Sequence, residues 1–402
     1  MRAAAKLGLA GQPRGNLLDV GAQTAPAELT LATIANESTF ARLGDQWDDL
    51  VRSRPRPSPF LLHAWLLEWW RHYGDGAELA VHAAFREGRL VGALPLCLRT
   101  THGFRVMSFV GGDTALADLL VADGEPPEVA QALAERAASS DQDFADLAGL
   151  PAGSRLVGAL NGSRLTLIER SEAPVLDLSP GWDEIYRTRL TSKRRNHHRR
   201  RRRQLAKLGR LDVDVARTPA ELDEALEDAF ELHRLRWNGR PDGSGFASPI
   251  GRRFHHATAQ ALAPAGVPRI VTLKIDGRAV AFHYYFALEG RMYVHRIAFD
   301  PGYARFSPGL VNTLDAIENA ASEGLTKVEF LGGAERYKIE LADHFEPLYE
   351  GFGLAGSVRG KAAVAARVGG IRLRKQLKRS PALRRFYFEG LAPARRVLRR
   401  GA

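Results

Sequence analysis

Cysteine and methionine are nearly absent from this sequence: one Cys and three Met in 402 residues. The lone Cys97 excludes an intramolecular disulfide and any metal site built from several thiolates. It lies in the apolar run Val91 to Leu98 and reads as a small strand residue; a reducing, cytoplasmic setting fits. Long hydrophobic runs are also missing. No window reaches the roughly 18 uninterrupted apolar residues of a membrane span, and Met1 to Leu31 holds no apolar core for a signal peptide. A soluble or surface-attached protein is expected.

Acidic residues are scarce at one end. From Arg359 to Ala402 there are fourteen Lys/Arg and one acid, Glu389, so of the net charge of +11 this stretch carries +13 and residues 1–358 carry −2. A second basic cluster, Lys193 to Arg203, holds eight Lys/Arg in eleven residues. The expectation is a nearly neutral body with two basic segments that touch anions.

At this length two domains are expected. Residues 1–26, rich in Gly, Ala, Gln and Pro, read as a disordered leader. Leu29 to Ile34 alternates like a strand. Ser38 is expected to cap a helix running to Arg52, and Ser58 another that begins at Pro59 and carries Phe60, Trp65, Trp69 and Trp70. Strands are expected at Leu79 to Phe85, Leu90 to Leu98 and Arg105 to Val110, then a helix from Pro127 to Ala138 and a strand at Phe144 to Ala148. The second half repeats that order. A strand at Leu211 to Ala216 leads into the capping box Thr218-Pro219-Ala220-Glu221, and helices follow to Trp237 and over Arg252 to Leu262. Strands come next at Arg269 to Ile275, Arg278 to Leu288 and Met292 to Phe299, then a helix from Pro308 to Glu323 and a strand at Lys327 to Leu331. The turns Glu87-Gly88-Arg89 and Asp276-Gly277-Arg278 lie 189 positions apart, each between apolar strands. One duplicated unit accounts for both.

This order, with Asp276-Gly277-Arg278-Ala279-Val280-Ala281, Asp300-Pro301-Gly302-Tyr303, Ser307-Pro308-Gly309 and the stretch Phe330 to Lys338, resembles the GNAT (GCN5-related N-acetyltransferase) superfamily. The duplicated form resembles the CelD/BcsL-type acetyltransferases and, more distantly, the FemABX aminoacyltransferases. The resemblance implies an α/β (α+β) fold of two tandem GNAT-like domains, each a mixed, mostly antiparallel sheet flanked by helices. It places an N-terminal domain at 27–190, a basic joining helix at 191–210, a C-terminal domain with the acyl-CoA site at 211–355 and a basic tail at 356–402. It implies acetyl-CoA or another acyl-CoA as donor substrate, no metal, and an amine or hydroxyl acceptor, small molecule or glycan, in polysaccharide or envelope modification. The glycine-rich pyrophosphate loop usual in GNAT proteins is missing between Asp300 and Gly309.

Candidate site residues follow. A basic loop feeding a helix N-terminus suits a phosphate, so Phe299, Arg305, Phe306, Ser307, Gly309 and Leu310 are the donor-binding candidates; the same Ser-Pro-Gly also reads as a plain helix start. Tyr337 is the candidate acid for the leaving thiolate, and Lys338 a candidate counter-charge; both also read as packed or solvated residues. His295 and Glu329 compete as general base, each also reading as structural. On the strand from Met292, strict alternation puts Met292, Val294, Arg296 and Ala298 on one face. Asp118, Arg236 and Trp237 are the acceptor-contact candidates, with the loop Asn238 to Ser248 covering the acceptor. The pairs His197-His198 and His255-His256 lack metal-ligand spacing. The basic tail suits peripheral contact with an anionic membrane at its inner face, or a charged disordered end; nucleic acid is the less expected partner.

Overall fold

A computed structural model describes residues 28–379 apart from 113–114, 162–163, 238–244 and 334. The expected leader and the tail beyond 379 lie outside the described residues.

The first half runs β1 (Leu29–Ile34), α1 (Glu37–Ala41), α2 (Gly44–Arg52), α3 (His63–Tyr73), β2 (Ala77–Leu79), β3 (Val81–Arg86) and β4 (Arg89–Leu94). It continues with β5 (Leu96–Thr101), β6 (Phe104–Phe109), β7 (Leu120–Val121), α4 (Pro127–Ala138), β8 (Phe144–Pro151), α5 (Arg155–Ala159) and β9 (Leu165–Asp177). Helices α6 (Trp182–Thr188) and α7 (Ser192–Ala206) connect the halves. The second half has β10 (Leu211–Ala216), α8 (Pro219–Arg236), α9 (Pro249–Leu262), β11 (Pro268–Ile275), β12 (Arg278–Leu288) and β13 (Arg291–Phe299). Then come α10 (Pro308–Ser322), β14 (Lys327–Glu329), α11 (Arg336–Leu341), β15 (His344–Gly353) and α12 (Val358–Arg379).

The two halves share their pairing rules. Each opens with its first strand antiparallel to the next long one: β1 on β3, and β10 on β11. Each later sets one parallel pair, β6 with β8 and β13 with β14. The acidic-Gly-Arg turns join β3 to β4 and β11 to β12, with positive φ at Glu87, Gly88, Asp276 and Gly277, as a two-residue hairpin turn with right-handed strand twist requires. The register slips between Ala84 and Phe85 and again between Leu273 and Lys274, the same position in each repeat. A shared bulge at a shared offset from a shared turn is the strongest internal mark of duplication.

The last strands cross over. β9 of the first half pairs with β14 of the second, and β15 of the second with β8 of the first, while β9 and β15 pair with each other. Among the described residues this exchange fuses most strands into one eleven-stranded sheet, β10-β11-β12-β13-β14-β9-β15-β8-β6-β5-β2, beside a four-stranded one. A core also crosses between the halves. Trp65 on α3 meets Phe254 on α9 and Phe286 on β12 edge-on, at ring distances of 5.0 and 5.6 Å; truncating such a residue to Ala costs roughly 3–5 kcal/mol.

Several expectations are corrected. Asn36, not Ser38, caps the first helix, accepting from Thr39 N–H at 2.9 Å, and that helix stops at Ala41 before α2 begins. Ser58 makes no cap bond; its hydroxyl is buried, and Pro59–Leu61 is a single 3₁₀ turn ahead of α3. Pro95, which cannot donate to a ladder, splits the run Leu90 to Leu98 into β4 and β5, and Ala80 separates β2 from β3. The 13-residue β9 was not expected at all, because Pro174 and three charges interrupt its apolar pattern.

Candidate active site

β13 and β14 pair only from Arg291–Lys327 to Tyr293–Glu329. Beyond Tyr293 they separate, and among the described residues no strand pairs with β13 from Val294 to Phe299 on that side. At the parting point β13 carries a bulge: Tyr285 pairs with Val294 and Tyr284 with Arg296, so His295 is the extra residue. The bulge reverses the alternation. Ala298 therefore packs with Tyr293, whereas Met292, Val294 and Ile297 pack together on the other face, which overturns the single face expected for Met292, Val294, Arg296 and Ala298.

Two cavities fill the gap. The first, of about 610 Å³, lies between the halves and is lined among others by Phe60 and Gly149 from the first half and by His233, Trp237, His295 and Tyr337. The second, of about 400 Å³, lies at the N-terminus of α10 and is lined by Arg194, His198, Arg236, Phe299, Gly309 and Tyr337 among others. Ile297, Glu335 and Tyr337 belong to both walls. A molecule lying along β13 would pass from one to the other beside the Tyr337 ring.

The second cavity sets Arg194, Arg236 and Arg336 against Glu335 and Glu340, with Arg194 and Arg336 both bound to Glu340. α7 is tied down by Arg202 to Asp315 at 2.5 Å and Arg194 to Glu340 at 2.6 Å, which presents Arg194 and His198 to it. Arg236, at the end of α8, holds its guanidinium 4.9 Å over the Phe299 ring. Ser307 adopts a left-handed conformation and makes no side-chain cap to α10, so the helix dipole and its first N–H groups face the opening. Gly309 has a steric reason: a Cβ there would stand 2.8 Å from the Phe299 ring. Phe299, Gly309 and Leu310 thus line the cavity. Arg305, Phe306 and Ser307 stand outside its lining, Arg305 being stacked on Phe306 at 4.6 Å.

Tyr337 is half-buried, and burial pushes its phenol up from its ordinary value, with the Glu335 carboxylate adding to the shift. It is protonated at neutral pH and can give a proton. Lys338 is buried; its ammonium donates to the carbonyls of Gly332 at 3.2 Å and Phe330 at 3.4 Å and pairs with Glu335 at 2.9 Å. It fixes the turn after β14 as well as lining the first cavity.

His295 sits in a ring cluster with Trp65, His255 and Tyr284, its centroid 5.5, 5.2 and 5.3 Å from theirs. Trp65 Nε1, His255 Nδ1, Tyr284 Oη and His295 Nε2 are buried without hydrogen-bond partners among the described residues. Burial, reinforced by the Arg296 charge, drives both imidazoles well below their ordinary range. His295 is neutral but resists taking a proton, which makes it a weak base. Glu329 is fully buried, with Arg56 at 2.6 Å and Arg291 at 2.8 Å. Arg56 also pairs with Glu346, and Tyr293 donates to the Pro57 carbonyl, so this carboxylate clamps the segment 55–57 onto the second half. Asp118 accepts from Ser154 Oγ at 2.6 Å, from the N–H groups of Arg155 and Leu156, and pairs with Arg54 at 2.9 Å. It is taken up by the start of α5 and by Arg54. Trp237 is 40% exposed at the first cavity; most of the loop expected to cover it lies outside the described residues.

Residues 192–339 match the family model described as an acetyltransferase (GNAT) domain. FemX shares the fold at 12% identity and a TM-score of 0.55, over 80% of this chain and 96% of that one. A conserved protein of unknown function from Bacteroides thetaiotaomicron does so at 15% identity and 0.53, over 80% of this chain and 100% of that one. The C-terminal domain of a chain described as a lysylphosphatidylglycerol synthetase, from Agrobacterium fabrum, does so at 12% and 0.51, over 82% and 96%. No curated protein matches the chain in sequence. The chain shares its fold with FemX, and the GNAT match covers residues 192–339.

Sequence reasoning missed Arg194, read only as part of a basic run, and His198, read there and as half of a pair without metal-ligand spacing, as well as Arg170 and Ser171 of the first cavity. A signal existed for the former pair. They stand at i and i+4 on a helix held to α10 by Arg202 on Asp315 and to α11 by Arg194 itself on Glu340. Arg170 and Ser171 lie on the unexpected strand β9, and nothing local marks them.

Proposed function

We propose that the protein is an acyltransferase that takes an acyl group from acyl-CoA, most simply acetyl-CoA, and passes it to an amine or hydroxyl. The adjacency of an arginine-bearing cavity at a helix N-terminus to an interdomain cavity, with Tyr337 in both walls, carries this reading. The donor's phosphates meet Arg194, Arg236 and the α10 N-terminus. Its thioester lies along the unpaired edge of β13, where backbone N–H groups polarise the carbonyl. The acceptor, entering from the interdomain side between Trp237 and Gly149, attacks the carbonyl carbon. The C–S bond breaks, and the Tyr337 hydroxyl protonates the departing thiolate. The acceptor's own proton leaves to solvent or restores Tyr337. Buried Cys97, in the far half of the sheet, has no part in the transfer. A glycan or envelope-precursor acceptor follows from the CelD/BcsL resemblance.

A second reading has one observation in its favour. Lys193, Arg199, Arg200, Arg203 and Lys207 of the α7 region are exposed beside the donor cavity, as an aminoacyl-tRNA donor would use. Acetyl-CoA titration together with a thiol-release assay decides between the two. Saturable acetyl-CoA binding, with thiol released only when an acceptor is supplied, is expected. No binding of any acyl-CoA would sink the first reading. Retention of tRNA at about 0.2 M salt, where nonspecific binding fades, would establish the second.

A further inference from the structure

Far along the sheet from this cleft, α12 covers the crossing strands. Val364, Val368 and Ile371, spaced i, i+4 and i+7, pack on Ile168 and Phe352. The sequence of α12 carries eight Lys/Arg and no acid. Its flank borders a cavity of about 670 Å³ that shares no lining residue with the two already described. The floor is apolar: Leu165, Phe352, Leu354, Val364 and Val368. The rim holds three cations, Arg164, Lys361 and Arg372, and no carboxylate lines it. Among the described residues none of these three has an ion-pair partner, whereas Arg367 on the same helix pairs with Asp146 at 3.1 Å. Beside the rim, Leu373 is 56% exposed and Val358 85%.

A free polyanion would use the cations and leave the apolar floor empty. A neutral apolar ligand would fill the floor and leave three charges uncompensated. An anionic amphiphile satisfies both, and the exposed Leu373 and Val358 suit a surface that meets a bilayer. We propose that this groove takes one acyl chain of an anionic phospholipid from a membrane surface, with the lipid phosphate held by Arg164, Lys361 and Arg372. The interaction is separate from the transfer reaction, which uses neither this cavity nor its residues.

Sedimentation of the full chain with phosphatidylcholine vesicles, with and without phosphatidylglycerol, tests it. Binding should require phosphatidylglycerol. The double variant K361E/R372E should bind at least about tenfold more weakly, since each basic residue at an anionic surface contributes several-fold. A365Q, which places an uncharged polar group at the exposed edge of the groove, should weaken binding about as much while leaving thermal stability unchanged, because the acyl chain loses its apolar seat. Full binding by A365Q would overturn the acyl-chain assignment and leave plain charge attraction. Equal binding to both vesicles, or binding to heparin with vesicles ignored, would overturn the proposal altogether.

Discussion

The two halves keep one scaffold and differ at the same place in it. At the start of α10 the cavity is lined by three arginines, Arg194, Arg236 and Arg336, against two carboxylates, Glu335 and Glu340, with His198 and Gly309. At the matching start of α4 a cavity of about 360 Å³ is lined by Asp123, Glu125 and Arg155, and the helix opens on Pro126-Pro127, two residues without an N–H to offer. The strand opening differs as well. Where β13 leaves β14 the gap is empty, but where β6 leaves β8 the chain itself closes it, Ala117 N–H donating to the Gly149 carbonyl at 3.1 Å. One copy has a cavity at its helix N-terminus and a strand edge that parts from its neighbour. The other is a wall, giving Phe60, Ala115 and Gly149 to the shared cavity.

The contrast can be broken with matched substitutions. Gly309→Val drives a side chain into Phe299 and should reduce acyl transfer by about 100-fold or more, a misplacement of roughly an ångström at a binding site being worth that much. Gly158→Val in the first-half cavity, where an added Cβ meets nothing within 4 Å, should leave turnover unchanged in the same assay. Tyr337→Phe should lower kcat by roughly 10²-fold with donor affinity intact, the usual yield of a lost general acid; rapid-quench turnover beside equilibrium binding separates the two.

Glu329→Gln sharpens what joins the halves. It leaves Arg56 and Arg291 partly unpaired in a buried place and should cost about 3 kcal/mol in a denaturant titration, with turnover of the folded enzyme within a few-fold. Undiminished stability with kcat down 10²-fold or more would instead make Glu329 the base. Arg236→Ala should weaken donor binding about tenfold, as the loss of a charge-assisted phosphate contact does.

The smallest effect is in acid. Burial lowers His82 in the first half and His198 in the second to about 4, and His283 to about 3. Unfolding restores the ordinary value near 6.5, so below that pH the unfolded chain binds more protons. The stability these histidines contribute is therefore present above about 6.5 and falls as the pH drops toward 4. His283→Leu should flatten that slope in pH-dependent melts by at most one histidine's share.

Much of this fold was legible because local chemistry repeats. The hairpin turns 189 residues apart each demand positive φ at an acidic-Gly pair, and the Thr218 capping box forms with both of its hydrogen bonds. What the sequence hid was produced by distant pairing. β9 is held by β14 and β15, so its own pattern of Arg170, Glu172 and Pro174 did not need to look like a strand. The bulge at His295 answers to β12 and reverses a face that strict alternation assigned otherwise. Gly309, Phe299, Leu310, Tyr337, Arg236 and Trp237, chosen from element order and the resemblance, line one or both cavities. Glu329 was chosen as a base and Asp118 as an acceptor contact, and each is occupied by partners far away in sequence, Arg56 for one and Arg54 and Ser154 for the other.

Isothermal titration of acetyl-CoA into the full chain bears most directly on the division of labour between the halves. One site per chain is predicted, abolished by Gly309→Val and untouched by Gly158→Val. Two sites per chain, or a single site that survives Gly309→Val, would contradict it.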